Sequence, residues 1–562
     1  MLRRLPRHAV RTTAVAGAAA LLLAGASAAV ADTTTDQQDQ PPLAAQVEAP
    51  VPEIAWKPCE GEGLEAFDCA AVEVPTDYDE PEGETTTIAL TRLPATDPDQ
   101  RIGSLFVNFG GPGGPGVATM HQLGGPFLDP QVHAQFDVVG FDPRGVGLSD
   151  PVTCFPDQAS ENAFIADTPA FPMTTRERAQ MLATFGTISA TCELLSGDRI
   201  EHASTANVAR DMDLLRQAVG DEQLSYLGYS YGSILGATYS ALFPDNVRAL
   251  AIDGTLDPEG WSGGEGSVGY RTGQGAAAAE VFDEFLAVCA EAGPESCALA
   301  ALGDPGEVVE DVFTQLQEQP VEIPLPDGTT VELGYDDAVA MAFSALYSPA
   351  LWGDLAATFA ALAVPQQQSM AAQRSTDDID SIGDLLRRLG LIEDYSGIGG
   401  ALASMCVDGE HPLKPWEYQA HADAADAEAP HFGRYRAWVG LQCEFVSFTD
   451  EDAYTGPWEQ TTEAPVLVIG TRYDPATPYG QTQPYADRFA DASVLTVEGY
   501  GHGTLGISTC ANAAIAGYLV DLDATDGATC EQDIAPFQAP PGEAELEESP
   551  LLMAPIAGLP GL

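Results

Sequence analysis

Lysine is almost absent. The chain of 562 residues holds Lys57 and Lys414 and no other lysine, and Lys plus Arg total 23 against 84 Asp plus Glu, a formal net charge of −61. Phosphate backbones are bound by Lys/Arg patches, so this scarcity argues against nucleic acid as a partner. Anionic membrane surfaces are disfavoured for the same reason. Metal and phosphate motifs are missing too. No C-x-x-C occurs, no histidine lies at ligand spacing from a cysteine pair, and no G-K-[ST] follows a glycine loop. No internal repeat is present, and the chemistry read below calls for neither a metal nor an organic cofactor. Such acidity favours solubility and the attraction of cationic ligands, and says nothing about fold.

One apolar run stands out, at 14–30, and it is Ala-dominated and short for a span. Arg3, Arg4, Arg7 and Arg11 precede it, and Ala29-Val30-Ala31 closes it before Asp32. Basic, apolar, then small-x-small reads as an export signal over 1–31, with a short membrane anchor as the competing reading. Arg3-Arg4 also permits twin-arginine export. The first cysteine is Cys59, which argues against a lipid-anchored start, so a secreted protein without stable membrane insertion is expected. The ten cysteines are an even number, as disulfides in an exported chain require. Neighbour pairing closes the shortest loops: 59–69, 154–192, 289–297, 406–443 and 510–530.

Apolar content of 45% suffices for a large core. Residues 32–53 and 536–562 are polar or Pro-rich and aperiodic, and read as a disordered leader and a flexible tail. Between them, short β-forming runs at 87–93, 104–109, 136–141, 224–229, 247–252 and 465–469 resemble buried parallel strands. Residues 205–219 have helical period, with Ser204 as N-cap and Gly220 closing the helix. This alternation implies an α/β fold with a mostly parallel sheet. It is interrupted over 257–458 by an Ala-rich, helical stretch that reads as a cap, which leaves 54–256 and 459–535 as the two parts of the core.

The sharpest local signal is Gly228-Tyr229-Ser230-Tyr231-Gly232 between a strand and a helical run. This is G-x-S-x-G in the context that holds a nucleophilic serine on a tight turn. Acyl transfer places negative charge on a carbonyl oxygen, which two fixed backbone N–H groups must meet. One belongs to Tyr231. The other belongs to the loop Gly110-Gly111-Pro112-Gly113-Gly114-Pro115-Gly116, at Gly111 or a neighbour. Serine also needs a base, and the base an orienting acid. Four histidines follow Ser230, and His411, His421 and His431 fall inside the cap, which leaves His502 in Gly501-His502-Gly503. Asp474, directly after a strand, is the acid, and Asp253 is its rival. If Asp253 is not the acid, it is a structural carboxylate bonding the turn into the cap.

With these residues placed, the chain resembles the α/β-hydrolase family, and more closely the secreted tripeptidyl aminopeptidases of actinobacteria, relatives of the prolyl aminopeptidases. The resemblance runs from Trp56 to about Cys530. It is carried by Asn108–Gly116, Asp142-Pro143-Arg144-Gly145-Val146-Gly147-Leu148-Ser149, the Ser230 pentapeptide, Asp474-Pro475-Ala476-Thr477-Pro478, Gly501-His502-Gly503, Cys510 and Cys530. It implies Ser230, Asp474 and His502 as catalytic residues, and a structural turn in which Asp142 pairs with Arg144. Phe109 departs from the proline common in the family. An exopeptidase acting on peptide or protein N-termini must also hold a free ammonium, for which Asp408 and Glu444, tied by a 406–443 disulfide, are the candidates. The same triad would serve a secreted carboxylesterase, and an intact triad on a non-catalytic binding protein is a third reading.

Overall fold

Strand order decides where a site can form in an α/β protein. The computed structural model describes residues 47–125, 127–166, 168–324, 330–364 and 398–537. The expected signal at 1–31, most of the leader, part of the insertion (365–397) and the tail past 537 lie outside the described residues. The described residues form one unit.

Ten strands make the main sheet: β1 (Lys57–Pro58), β2 (Asp68–Pro75), β3 (Thr85–Leu93), β4 (Gly103–Asn108), β5 (Phe136–Phe141), β6 (Leu224–Tyr229), β7 (Val247–Asp253), β10 (Val466–Tyr473), β11 (Ala492–Tyr500) and β12 (Ala528–Glu531). A separate hairpin pairs β8 (Val321–Pro324) with β9 (Thr330–Leu333). The sheet runs β1-β2-β3-β5-β4-β6-β7-β10-β11-β12. Pairing is parallel from β5 to β12 and antiparallel through β1, β2 and β3. β4, β5 and β6 are buried along their whole length, which explains their unbroken apolar runs. β3 and β10 extend past the predicted runs because their ends carry Thr, Arg and Tyr rather than an apolar repeat.

Helices cover both faces. The helix Thr205–Val219 has the predicted bounds: Ser204 Oγ accepts the Asn207 N–H at 3.3 Å, and Gly220 takes φ +85° to close it. With the helix Gly232–Leu242 it covers one face through Val208, Met212, Leu235 and Tyr239. Met120, Ile515 and Leu519 cover the other.

Among the described residues, the insertion between β7 and β10 is built of helices and their connections apart from the β8–β9 pair. Its apolar cluster includes Phe285, Phe313, Trp352 and Trp438, and reaches the core through Tyr231, Ile234 and Ala476 at the carboxyl ends of the strands. The helix Thr175–Ser196 joins the same cluster through Met181, Phe185 and Ile188. The sequence had placed this segment in the core, because it lies between β5 and β6 and nothing local marks the side on which it packs. The five disulfides pair neighbours as expected, and the described residues hold no free cysteine.

One expected pairing is not formed. Arg144 binds Asp211 at 2.6 Å and donates to the buried carbonyls of Pro75 and Thr76 and to the half-buried carbonyl of His202. Asp142 instead accepts the N–H groups of Val117 and Leu148, each at 2.8 Å. A buried guanidinium needs a bidentate carboxylate facing it, which the helix Thr205–Val219 supplies. Asp142 is turned toward the start of the helix Gly116–Leu123 and anchors the glycine loop before it.

Candidate active site

β6 ends at Tyr229, and the chain reverses at Ser230 into the helix Gly232–Leu242. Ser230 has φ +56°, a conformation that costs a non-glycine residue about 1–3 kcal/mol. Its N–H is held by the Asp253 carbonyl at 3.0 Å. A Cβ at Gly228 would lie 2.5 Å from Tyr226 Cε1 and 2.6 Å from the Gly232 carbonyl oxygen, so the first flanking glycine is obligatory. The glycine loop closes over this turn. A Cβ at Gly110 would sit 2.6 Å from the Tyr229 carbonyl oxygen and 2.9 Å from Ser230 Cβ. Phe109 is buried beneath it, stacked on Tyr229 at 6.1 Å.

An oxyanion here needs backbone N–H groups that are not already bonded. Gly110 donates to Asn108 Oδ1 at 2.9 Å and is spent. Gly111, exposed, and Tyr231, at the start of its helix, donate to nothing among the described residues. The sequence nominated these two. The Tyr231 ring is fixed from behind: its hydroxyl hydrogen-bonds Thr205 Oγ1, and Thr205 donates to Asp408 through N–H (2.7 Å) and Oγ1–H (2.5 Å).

Asp474 follows β10, buried, and its carboxylate gathers donors from a turn of its own making. Ala476 and Thr477 N–H reach Oδ1, both at 2.8 Å, while Thr477 Oγ1 (2.7 Å) and Gly503 N–H (3.2 Å) reach Oδ2. His502 Nδ1 lies 3.0 Å from both carboxylate oxygens. The insertion holds His502 as well: its N–H donates to the Tyr347 carbonyl at 2.9 Å, and the Tyr347 ring packs edge-on at 4.8 Å. Burial works against the charged imidazole, but the charge and hydrogen bond of Asp474, helped by Asp253, outweigh it and raise His502 above 6.5. Burial likewise opposes the Asp474 carboxylate, and His502 with the Thr477 donors overcomes it, so Asp474 lies below 3.8. Neither Ser230 Oγ nor His502 Nε2 has a hydrogen-bond partner among the described residues. Serine on its turn, two free N–H groups and an acid-backed imidazole are the parts of acyl transfer.

The remaining candidates do not bond the His502 imidazole. Asp253 bonds Thr504, two residues beyond His502, rather than the turn into the insertion. Asp408 is buried, pushed up to about 6 by burial, and also accepts Trp261 Nε1 at 2.9 Å, so its oxygens face fixed protein donors. Glu444 is half-buried, accepts Tyr418 OH at 3.1 Å, and burial pushes it up to about 7. His431 binds Tyr335 and Glu310 inside the insertion. Cys59 and Cys69 meet His121 in the manner of metal ligands, but the two sulfurs are bonded to each other. Sequence reasoning missed Thr477 and Tyr347. A threonine three residues past an aspartate is a local turn signal and could have been read. Tyr347 acts mainly through a backbone carbonyl 155 positions from His502 in the numbering and leaves no signal.

Residues 110–264 match the family described as the alpha/beta hydrolase fold, and residues 429–530 match the TAP-like protein family. The chain is 30% identical over 490 residues to the serine protease Hip1 of Mycobacterium tuberculosis, covering 83% of this chain and 88% of that protein. It is 28% identical to the tripeptidyl aminopeptidase of Streptomyces lividans (86% and 87% covered) and 31% identical to the carboxylesterase B of M. tuberculosis (86% and 92%). Among solved structures, the proline iminopeptidase of Mycobacterium smegmatis aligns over 80% of this chain and 99% of that one, with 18% identity and a TM-score of 0.31.

Proposed function

Since the chain belongs to the α/β-hydrolase family, in the group of the TAP-like proteins, we propose that it is an exported serine exopeptidase releasing short peptides, tripeptides in particular, from free N-termini. The observation that carries this reading is His502 Nδ1 set 3.0 Å from both oxygens of Asp474, at the strand ends where Ser230 is held at φ +56°.

In the mechanism, Ser230 Oγ attacks the scissile carbonyl while His502 Nε2 takes its proton. The N–H groups of Gly111 and Tyr231 meet the oxyanion. Asp474 fixes the imidazole with Nδ1–H toward the carboxylate and stabilises the imidazolium; it does not take the proton. His502 then returns the proton to the leaving amine, and water, deprotonated by the same imidazole, hydrolyses the acyl-enzyme. The helical insertion blocks longer N-terminal extensions. For the substrate ammonium, Glu444 suits the role better than Asp408, because one hydroxyl donates to it rather than three fixed groups. Five disulfides support export. No described helix is long and apolar enough to cross a membrane.

The relative named carboxylesterase B gives a second reading, an exported esterase using the same residues. One comparison separates them: hydrolysis of a free tripeptidyl p-nitroanilide, its N-acetyl form and a p-nitrophenyl ester by wild type and Ser230→Ala. Only the free peptide should be cut well, and only by wild type. Equal cleavage of the blocked peptide sinks the aminopeptidase reading, turnover of the ester alone establishes the esterase, and activity in Ser230→Ala removes the nucleophile.

A further inference from the structure

Asp253 ends β7 with its side chain fully buried. β7 lies between β6, which delivers Ser230, and β10, which delivers Asp474, and Asp253 pairs with Tyr229 on one side and Ile469 on the other. Its contacts run to both limbs of the site. The backbone carbonyl accepts the Ser230 N–H at 3.0 Å. The carboxylate Oδ2 accepts Thr504 N–H at 2.9 Å and Thr504 Oγ1–H at 2.6 Å. Thr504 is two residues past His502, so this clamp grips the loop that carries the base.

The next residue tightens the arrangement. Gly254 donates to the Ile469 carbonyl at 3.0 Å and takes φ +75°. A Cβ there would stand 2.8 Å from Thr477 Oγ1 and 3.7 Å from both Asp474 Oδ2 and His502 Cε1. One dipeptide therefore touches the serine turn, the acid turn and the base loop. Burying a carboxylate in such a place is costly unless its bonds are needed. Here one oxygen, Oδ1, has no hydrogen-bond partner among the described residues, so the group is not optimised for stability.

The geometry points to Asp253 as a positioning residue of this site: through Thr504 it fixes the His502 loop in register with the Ser230 turn. The inference rests on the Ser230–His502–Asp474 reading. It is distinct from a second triad acid, because His502 Nδ1 bonds Asp474 and makes no bond to Asp253. The charged and titratable groups facing Asp253 are Asp474, His502 and the buried Tyr229 hydroxyl. Its negative charge raises His502, so its removal lowers the pH at which the imidazole becomes a base.

The test uses Asp253→Asn, Thr504→Val and Thr504→Ser in the full chain, with kcat and KM on the tripeptidyl p-nitroanilide referred to active sites counted by a fluorophosphonate probe. For Asp253→Asn, kcat should fall on the order of 10-fold to 100-fold with KM little changed, as for a base displaced by a fraction of an ångström. The acid limb of its kcat/KM profile should move to lower pH. Thr504→Val should lose kcat in the same way and Thr504→Ser should restore it; these decide the matter if Asp253→Asn does not fold. A purely structural Asp253 would lower the melting temperature and leave kcat per active site and the acid limb unchanged, which overturns the inference. Ser230→Ala run alongside keeps the two readings apart. Activity in that variant overturns both, whereas its inactivity beside a normal Asp253→Asn overturns this one alone.

Discussion

Asp408→Asn is the most quantitative perturbation the structure offers. Burial pushes the Asp408 carboxyl from 3.8 up to about 6 against the hydrogen bonds of Thr205 and Trp261. A folded-state pKa above the unfolded one means that the folded state binds the proton more tightly. The stability linked to that proton is present below 3.8 and is lost as pH rises through 6. A gap of about two pH units is worth about 3 kcal/mol. Asparagine has no proton to lose and so lacks this dependence. It carries a different cost, because its NH₂ must face either Thr205 N–H at the Oδ1 position or Thr205 Oγ1 and Trp261 Nε1–H at the Oδ2 position, leaving one buried N–H donor unmet at about 1–3 kcal/mol. At about pH 4.5 the variant should therefore be the less stable by about 1–3 kcal/mol, and by about pH 7.5 the deficit should vanish or reverse. Urea unfolding of wild type and variant across that range measures it, and Asp253, likewise raised, cancels in the difference. A deficit that stays constant with pH, or grows as pH rises, would refute the reasoning.

Asp474→Asn should leave KM close to wild type and lower kcat by about 10³–10⁴-fold, as in other triads that lose the correct imidazole tautomer; steady-state kinetics at neutral pH checks it. Since His502 is raised above 6.5, the acid limb of kcat/KM should inflect above that value in the wild type, and a limb below it contradicts the ion pair. Thr477→Val removes a 2.7 Å hydroxyl bond to Asp474 Oδ2 and should cost about 1–2 kcal/mol of stability, read by thermal unfolding, with a smaller loss of kcat than Asp474→Asn.

Much of the site was legible because its parts are local. Ser230 is announced by glycines that a strained turn requires, His502 by glycines on either side, and Asp474 by the strand before it. The helix Thr205–Val219 was readable to the residue because both caps are written in its ends. What escaped was long-range. Asp142 and Arg144 stand two apart and carry opposite charges, yet each finds its partner on a different helix. The helix Thr175–Ser196 has a clear N-terminal box in Thr174 and Glu177, but no local pattern says that it joins the insertion. Asp408 was a candidate for holding a free ammonium, and the donors that occupy it instead, Thr205 and Trp261, lie far away in sequence. β1 and β12, of two and four residues, are short edge pieces with little apolar periodicity.

The insertion does more than shade the site, and Gly501 exposes that dependence. Gly501 takes φ +107°, and a Cβ there would lie 2.8 Å from the Tyr347 carbonyl oxygen, 3.0 Å from Pro349 Cδ and 3.1 Å from Ile507 Cδ1. Tyr347 is the carbonyl that His502 N–H holds, so Gly501→Ala must push the base loop away from the insertion. Backbone strain alone would cost about 1–2 kcal/mol for alanine at such a φ. Gly527→Ala isolates that part, since Gly527 has φ +71° and open space around its Cβ direction. If the insertion positions the base, Gly501→Ala should lose kcat on the order of 10-fold to 100-fold per folded enzyme. Gly527→Ala should lose stability only. Equal kcat in the two variants would mean that His502 keeps its place without the Tyr347 carbonyl, and that the insertion serves substrate exclusion alone.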